Sequence, residues 1–291
     1  MIRVGTSGWS YDHWAGTFYP HDLPRSRWSA YYRTRFPVVE INATFYRLPR
    51  ATTVVKWRDE ARDGFRYVVK GSRYITHVRR LDDCADPVSR FLGRIAAMAP
   101  VTLAVLWQLP PDLPRDDERL ERFLGLLPSR LGDVPLRHAV EFRHRTWVAG
   151  EVHDLLRRHD VSNVWVSSLA MPADRTTTSD LVYARFHGLD GGWEHDYRAD
   201  ELAPWVEALR AAPADGVAFF NNDGRGHAPA NARLLCELLG DRALRWPRRP
   251  HDDAPPGGRD GAGGRRRRGR DAECGRTAAP ARDRGIDPGQ A

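Results

Sequence analysis

The chain has 291 residues and a net charge of +7, with 45 basic residues against 38 acidic ones. All but two of the basic residues are arginines, the exceptions being Lys56 and Lys70. The longest apolar runs, such as 101–106, fall well short of the roughly 18 residues that cross a bilayer, so no membrane span is expected. The three cysteines lack CxxC spacing, which argues against a disulfide framework or a thiolate zinc site and favours a cytoplasmic protein.

Composition divides the chain at residue 246. Beyond residue 250 the sequence consists mainly of Gly, Pro, Ala, Asp and Arg and has almost no core-forming side chains. Such a segment cannot repay the entropy cost of ordering, so we predict a disordered Arg/Gly/Pro-rich tail over 247–291. The arginine run at 265–268 leaves contact with nucleic acid open, although an incidental tail from coding bias explains it more simply.

Between residues 1 and 246 a strand pattern followed by a helix pattern repeats about eight times. The predicted strands are 2–6, 38–42, 65–70, 101–108, 138–142, 163–167, 181–187 and 216–222. Helical patterns between them include 26–36, 87–98, 116–127, 151–159, 200–211 and 229–239. This alternation predicts a single α/β domain, a (β/α)8 barrel of the TIM type, rather than an open doubly wound sheet. No G-x-G-x-x-G sequence follows the first strand, which argues against a dinucleotide-binding fold.

Alternating side chains predict which strand faces line the barrel. On the second strand Glu40 and Asn42 share one face, and the apolar Val39 and Ile41 share the other. In several strands polar residues gather on one face toward the carboxyl end, where barrel enzymes place their chemistry. We call this carboxyl end of the barrel the mouth. The residues expected there are Glu40, Asn42, Lys70, Gln108, Glu141, Arg143, Arg185, His187, Asn221 and Asp223.

Eight short blocks occur in a characteristic order. They are GTSGWSY at 5–11, FYP at 18–20, VEINATFYR at 39–47, ITH at 75–77, QLPP at 108–111, EFRH at 141–144, RFHG at 185–188 and FNND at 220–223. These blocks resemble the signature of the YecE-like family, also called domain of unknown function 72. The resemblance spans residues 2 to about 239 and implies a TIM-type barrel, but it brings no reaction with it.

Two glutamates are the leading catalytic candidates. Glu40 and Glu141 lie three strands apart around the predicted barrel, where they could face each other across a substrate as general acid and base. His187 and Lys70 are further catalytic candidates at the same mouth. The alternative is that each glutamate is a structural partner of Arg143 or Arg185 inside the barrel.

The predicted loops carry features of an anion site. Glycine-rich segments at 188–192 and 224–226 follow the seventh and eighth strands, a pattern found both in phosphate sites and in ordinary turns. Arginines can hold phosphates, and exposed aromatic rings can stack on sugars or unpaired bases. Three aromatic residues, Trp14, Phe18 and Phe45, are instead expected to lie in the core. The expected ligand-binding residues are Ser7, Trp9, Tyr11, Asn42, Tyr46, Arg47, Gln108, Arg143, Arg185, Gly188, Trp193, Asn221 and Asp223.

No cofactor is evident from the sequence. Glu40, Glu141, His187 and Asp223 would suit Mg²⁺ or Mn²⁺, but no local metal-binding spacing supports such a site. The sequence therefore predicts a hydrolase, isomerase or lyase that uses mouth carboxylates on a phosphorylated, sugar-like or nucleic-acid-derived substrate. The competing function is a non-catalytic module that binds nucleic acid or a small anionic ligand.

Overall fold

Eight parallel strands form the centre of the protein. The computed structural model describes residues 1–61 and 64–246, so the predicted tail at 247–291 lies outside the described residues. The barrel strands are β1 (Ile2–Thr6), β2 (Val38–Ile41), β3 (Arg66–Lys70), β4 (Thr102–Gln108), β7 (Arg137–Glu141), β8 (Val161–Ser168), β9 (Leu181–Gly188) and β10 (Asp215–Phe220). An antiparallel hairpin, β5 (Arg130–Leu131) and β6 (Val134–Pro135), precedes β7.

The sheet closes on itself. Its hydrogen-bonded order is β1-β10-β9-β8-β7-β4-β3-β2, and all the barrel pairings are parallel. At the remaining edge Ser7 forms a bridge with Glu40, and the Gly8 amide donates to the Glu40 carbonyl oxygen at 2.8 Å. The strand pattern and the (β/α)8 fold predicted from the sequence are therefore confirmed.

Helices follow seven of the eight barrel strands, whereas the connection from β8 to β9, residues 169–180, contains no helix. The helices are α1 (Trp28–Arg35), α2 (Ala43–Tyr46), α3 (Ala51–Glu60), α4 (Ala85–Ile95), α5 (Asp117–Leu124), α6 (Gly150–Arg158), α7 (Ala199–Ala211) and α8 (Ala228–Leu239). The helix predicted at 116–127 begins at Asp117, because the Asp116 side chain caps it by accepting from the Arg119 amide at 3.0 Å, and it ends at Leu124, just before Gly125. Among the described residues, no helix has the length and apolar character that a membrane crossing requires.

The hydrophobic core lies between the strands and the helices. On α4 the buried residues are Val88, Phe91, Leu92 and Ile95, a spacing that places them on one helix face. Trp107 of β4 packs between Phe91 and Phe123, with ring centroids 5.7 and 5.3 Å away. The opposite strand faces line the barrel interior, where apolar side chains such as Phe219, whose ring lies 5.5 Å from that of Tyr183, accompany the polar groups.

Candidate active site

A fully buried arginine joins two glutamates inside the barrel. Arg185 Nη2 donates to Glu40 Oε1 at 2.7 Å, and Arg185 Nη1 donates to Glu141 Oε2. Glu40 also accepts hydrogen bonds from Ser7 Oγ, at 2.8 Å, and from the Tyr183 hydroxyl. We call Ser7, Glu40, Glu141, Tyr183 and Arg185 the sealed layer, because burial excludes water from all five.

The sealed layer changes the roles expected of the two glutamates. Burial raises the pKa of Glu141, but Arg185, His187 and Arg143 more than compensate, so this pKa lies well below its usual value. Of the two predicted roles, an ionised Glu141 fits the general base rather than the general acid, and Glu40 is surrounded by its three donors. Both carboxylates are partners of Arg185, which is the structural alternative. Gln108 belongs to the same network, since its Oε1 accepts from Arg185 Nη1 at 3.3 Å.

A second set of polar side chains lies toward the carboxyl ends of the strands. We call Asn42, Lys70, Arg143, His187 and Asn221 the open layer, because all except the nearly buried Lys70 are partly exposed. Glu141 connects the two layers: its Oε1 lies 3.0 Å from His187 Nε2 and accepts from Arg143 Nη1 at 3.2 Å. The buried carboxylate of Glu141 therefore contacts both the His187 imidazole and the Arg143 guanidinium of the open layer.

The contacts of His187 determine which nitrogen carries its proton. Asn221 Nδ2 lies 3.2 Å from His187 Nδ1, so the amide donates to this nitrogen. Arg185 Nη1 and Glu141 Oε1 lie 3.1 and 3.0 Å from His187 Nε2. Because the Arg185 Nη1 hydrogens also have Glu141 Oε2 and Gln108 Oε1 as acceptors, we assign the ring proton to Nε2, facing Glu141. Burial lowers the pKa of His187 to about 4; Arg143 and Arg185 add to this effect, while Glu141 opposes it. The ring is therefore neutral at pH 7, with Nδ1 as its proton acceptor.

Lys70 ends β3 with its amine over an aromatic ring. Its Nζ lies 4.2 Å from the centre of the Phe45 ring, and Thr44 Oγ1 donates to the Lys70 carbonyl oxygen at 2.6 Å. A side chain at Gly71 would come within 2.3 Å of the Trp107 ring, so glycine is required for the chain to turn there. Burial and then Arg185 lower the pKa of Lys70 to about 7.

A fourth titratable group follows β10. Asp223 Oδ1 accepts from Trp14 Nε1 at 2.7 Å, and its Oδ2 lies 2.9 Å from His13 Nε2. Burial raises the pKa of Asp223 to about 6 despite these contacts. This carboxyl group therefore exchanges its proton near neutral pH.

The glycine-rich segments make turns rather than an anion cradle. Their amides already have acceptors: Gly188 N donates to the Tyr197 hydroxyl, Gly192 N to Leu189 O, Gly224 N to Trp193 O and Gly226 N to Asp223 O. A Cβ at Gly188 would lie 1.6 Å from the Gly192 carbonyl oxygen, which explains the glycine. The amides of Gly188, Gly192, Gly224 and Gly226 are therefore taken up within the protein, and anion binding by other groups of these loops stays a prediction.

The predicted aromatic ligands differ in how they are held. Tyr46 and Trp193 are 58% and 42% exposed, whereas Trp14 and Phe45 are buried in the core as expected. The remaining two are engaged within the protein: Trp9 packs edge-on against Trp57 with centroids 6.4 Å apart, and the Tyr11 hydroxyl donates to Ser7 O at 2.7 Å. Tyr46 also packs edge-on against Phe45, with centroids 5.1 Å apart, and together with Trp193 and Arg47 it is exposed at the rim.

The metal site left open by the sequence does not fit this arrangement. Across 1–61 and 64–246, no three His, Cys, Asp or Glu side chains gather as a ligand set. Glu40 and Glu141 direct oxygens at the Arg185 guanidinium, which already supplies the positive charge between them. The carboxylate oxygens of Asp223 face Trp14 and His13 instead.

Three residues at the site, Tyr183, His13 and Trp14, make contacts that no pattern in the sequence indicates. Tyr183 was on the correct face, since it alternates with Arg185, but it was not assigned a role. His13 and Trp14 hold Asp223 from a loop about 210 residues away in sequence, and no local pattern indicates that contact.

A closed parallel barrel with ionised groups at its carboxyl end defines a protein of the TIM-barrel class. Residues 3–255 match the family described as Protein of unknown function DUF72, and the chain belongs to this family. It is 26% identical over 273 residues to UPF0759 protein YunF of Bacillus subtilis, covering 82% of this chain and 95% of YunF. UPF0759 protein YecE of Escherichia coli is 34% identical over 160 residues, 54% of each chain. A crystal structure of a DUF72 family protein from Thermotoga maritima superposes with a TM-score of 0.73 at 29% identity, covering 82% of this chain and 99% of that one.

Proposed function

We propose that the mouth of the barrel is an active site for acid–base chemistry on a small phosphorylated, sugar-like or nucleic-acid-derived substrate. The observation that carries this proposal is the contact between Glu141 and His187, an ionised carboxylate 3.0 Å from a neutral imidazole. A carboxylate that orients an imidazole makes it an effective general base. His187 is partly exposed to the mouth, whereas Glu141 is sealed beneath it.

The mouth carboxylate acts through the imidazole in this proposal. Glu141 holds the ring with its proton on Nε2, so Nδ1, which faces Asn221, accepts a proton from the substrate. The resulting imidazolium is stabilised by the ionised Glu141. A bound anion would offset the charge of Arg143, one of the cations that lower the pKa of His187, and would raise that pKa toward the range where general bases work best.

The rim supports an anionic substrate with a ring or several hydroxyl groups. Arg143 and the exposed Arg47 supply positive charge, and Tyr46 and Trp193 supply flat apolar faces. Proton transfer alone suffices for a hydrolase, an isomerase or a lyase. A binding module for anions or nucleic acid would use the same rim but would not need a proton acceptor at His187.

The test is a search for substrate turnover that depends on His187. Purified protein is incubated in D₂O with a panel of sugar phosphates, free sugars and nucleotides, and mass spectrometry records conversion and deuterium incorporation. We expect His187→Gln to reduce conversion by about 10²-fold or more while leaving binding within a few-fold. The matched control is His159→Gln, at the end of α6 and away from the mouth, which should retain wild-type conversion. Binding that is unchanged in His187→Gln, with no conversion by the wild type, would instead identify a binding module.

A further inference from the structure

We infer that the Lys70 amine is a nucleophile that forms an imine with the carbonyl carbon of a small aldehyde or ketone bearing phosphate or hydroxyl groups. This rests on the proposed function in one respect, since the same mouth must admit the substrate. It goes further by naming a covalent step and the functional group that the substrate must carry.

The charges around Lys70 balance without a proton on its amine. The charged side chains that act on it are Arg185, Glu40, Glu141 and Arg143, two cations and two anions. A protonated amine would add one uncompensated charge to a site that has little water, which is costly. The lowered pKa of Lys70, about 7, agrees with this balance, so about half of the amines are neutral at pH 7.

The surroundings of the amine leave its lone pair available. In the part of the chain that the structure describes, Lys70 forms no ion pair, and its Nζ faces the Phe45 ring instead. His77, whose ring lies 5.0 Å from that of Phe45, has a pKa lowered to about 4 by burial, with Lys70 and Arg73 adding to the effect. His77 therefore adds no charge at neutral pH. Lys70 is only 7% exposed, so little water competes for its amine, and a substrate would have to approach it from the carboxyl end of β3, where Lys70 is the last residue.

The proposed step is balanced and needs no further reactant. The amine nitrogen adds to the carbonyl carbon, and the carbonyl oxygen leaves as water, taking both amine hydrogens in net terms. A carbon–nitrogen double bond replaces the carbon–oxygen double bond. Protonation gives an iminium cation, which the face of the Phe45 ring stabilises as it does the ammonium. The iminium withdraws electrons from the adjacent carbon, which makes a proton there easier for a base such as His187 to remove.

The use of lysine at this position is unusual for this chain. Arginine supplies all but two of the 45 basic residues, yet arginine does not deprotonate in proteins and cannot act as an amine nucleophile. The other lysine, Lys56, lies on α3 with its side chain 71% exposed and its Nζ 3.8 Å from Glu60. Lys56 is therefore a matched control with the same functional group on the outside of the protein.

The inference is tested by trapping the imine on the full chain. Wild-type protein is incubated at pH 7 with D-glyceraldehyde 3-phosphate and sodium cyanoborohydride, which reduces an imine to a stable secondary amine. Peptide mass spectrometry then compares the initial labelling rates of Lys70 and Lys56. An ordinary lysine, with a pKa of about 10.4, is about 0.04% neutral at pH 7, so Lys70 should be labelled at least about tenfold faster. Its rate should level off above pH 7, whereas that of Lys56 should continue to rise.

Two variants make the outcome specific. Lys70→Arg should lose the adduct on its own peptide and keep that on Lys56, and Lys56→Arg should leave the labelling of Lys70 unchanged. Labelling of Lys70 no faster than Lys56 would overturn the inference even if conversion still depends on His187. Fast labelling of Lys70 without any conversion of the substrate panel would support the inference and count against the proposed function.

Discussion

The sealed layer and the open layer both draw residues from β2, β7 and β9 or the positions just after them, yet Arg185 and Lys70 meet their charges in opposite ways. In the sealed layer Arg185 has a carboxylate on each side, and each of these carboxylates has further hydrogen-bond donors. In the open layer Lys70 has an aromatic face in place of an ion pair. Removing one member of a buried ion pair leaves its partner's charge uncompensated, whereas a buried charge without an ion pair is itself costly. Removing the charge of Arg185 should therefore destabilise the protein, and removing that of Lys70 should stabilise it.

The largest effect is expected for Arg185→Ala. This substitution leaves Glu40 and Glu141 buried without their shared cation, a change that typically costs about 3–5 kcal/mol. For a domain of this size the melting temperature should fall by roughly 6–20 °C. Thermal and urea unfolding at pH 7 measure both quantities.

The matched control for this variant is Arg122→Ala. Arg122 lies on α5 with its side chain 61% exposed and 4.0 Å from Glu118, so its loss should change stability by less than about 0.5 kcal/mol. Equal stability of the two variants would show that Arg185 does not hold the carboxylates and would remove the distinction between the layers.

Lys70→Met is expected to change the free energy of unfolding in the opposite direction, by making the protein more stable. The folded-state pKa of Lys70 is about 7, and an unfolded lysine has a pKa of about 10.4. Between these values the unfolded chain binds more protons, so the wild-type free energy of unfolding should rise with pH across this window. Below pH 7 the penalty for burying the ammonium is complete. Methionine keeps the apolar contact with Phe45 and cannot titrate, so the variant should be more stable at pH 7, by on the order of 1–3 kcal/mol.

Urea unfolding of the wild type and of Lys70→Met at pH 6.5, 8 and 9.5 tests whether the variant is the more stable protein. The advantage of Lys70→Met should shrink as the pH rises and nearly vanish by pH 10. A variant that is less stable than the wild type at every pH would mean that Lys70 is a charged structural partner, as Arg185 is.

Particular residues show how far the sequence could predict this site. The alternation of side chains along β9 placed Arg185 and His187 inside the barrel, because a strand has a period of two regardless of its neighbours. The choice between a catalytic and an ion-paired Glu40 depends on distances across the barrel, which no local pattern encodes. The contact of Gly188 could not be predicted for a similar reason: a glycine-rich loop looks the same in sequence whether its amides face a ligand or the protein, and in the structure the Gly188 amide donates to the hydroxyl of Tyr197.

The smallest effect on stability is expected for Asp223→Asn. This variant tests whether the carboxylate after β10 is fully paired, as in the sealed layer, or titrates near neutral pH. Burial raises the pKa of Asp223 to about 6, and an unfolded aspartate has a pKa of about 3.9. The folded protein therefore binds more protons between these values, and the contribution of Asp223 to stability should fall as the pH rises through this window.

Asparagine does not titrate, and its oxygen can still accept from Trp14. The variant should thus gain stability relative to the wild type between pH 4 and 6, reaching roughly 1 kcal/mol at pH 7, less than for Lys70→Met because the pKa shift is smaller. Comparing the unfolding free energies of the two proteins at each pH cancels the titration of groups that do not interact with Asp223. A difference that does not vary with pH would show that Asp223 is an ionised partner of His13, paired as completely as the carboxylates around Arg185.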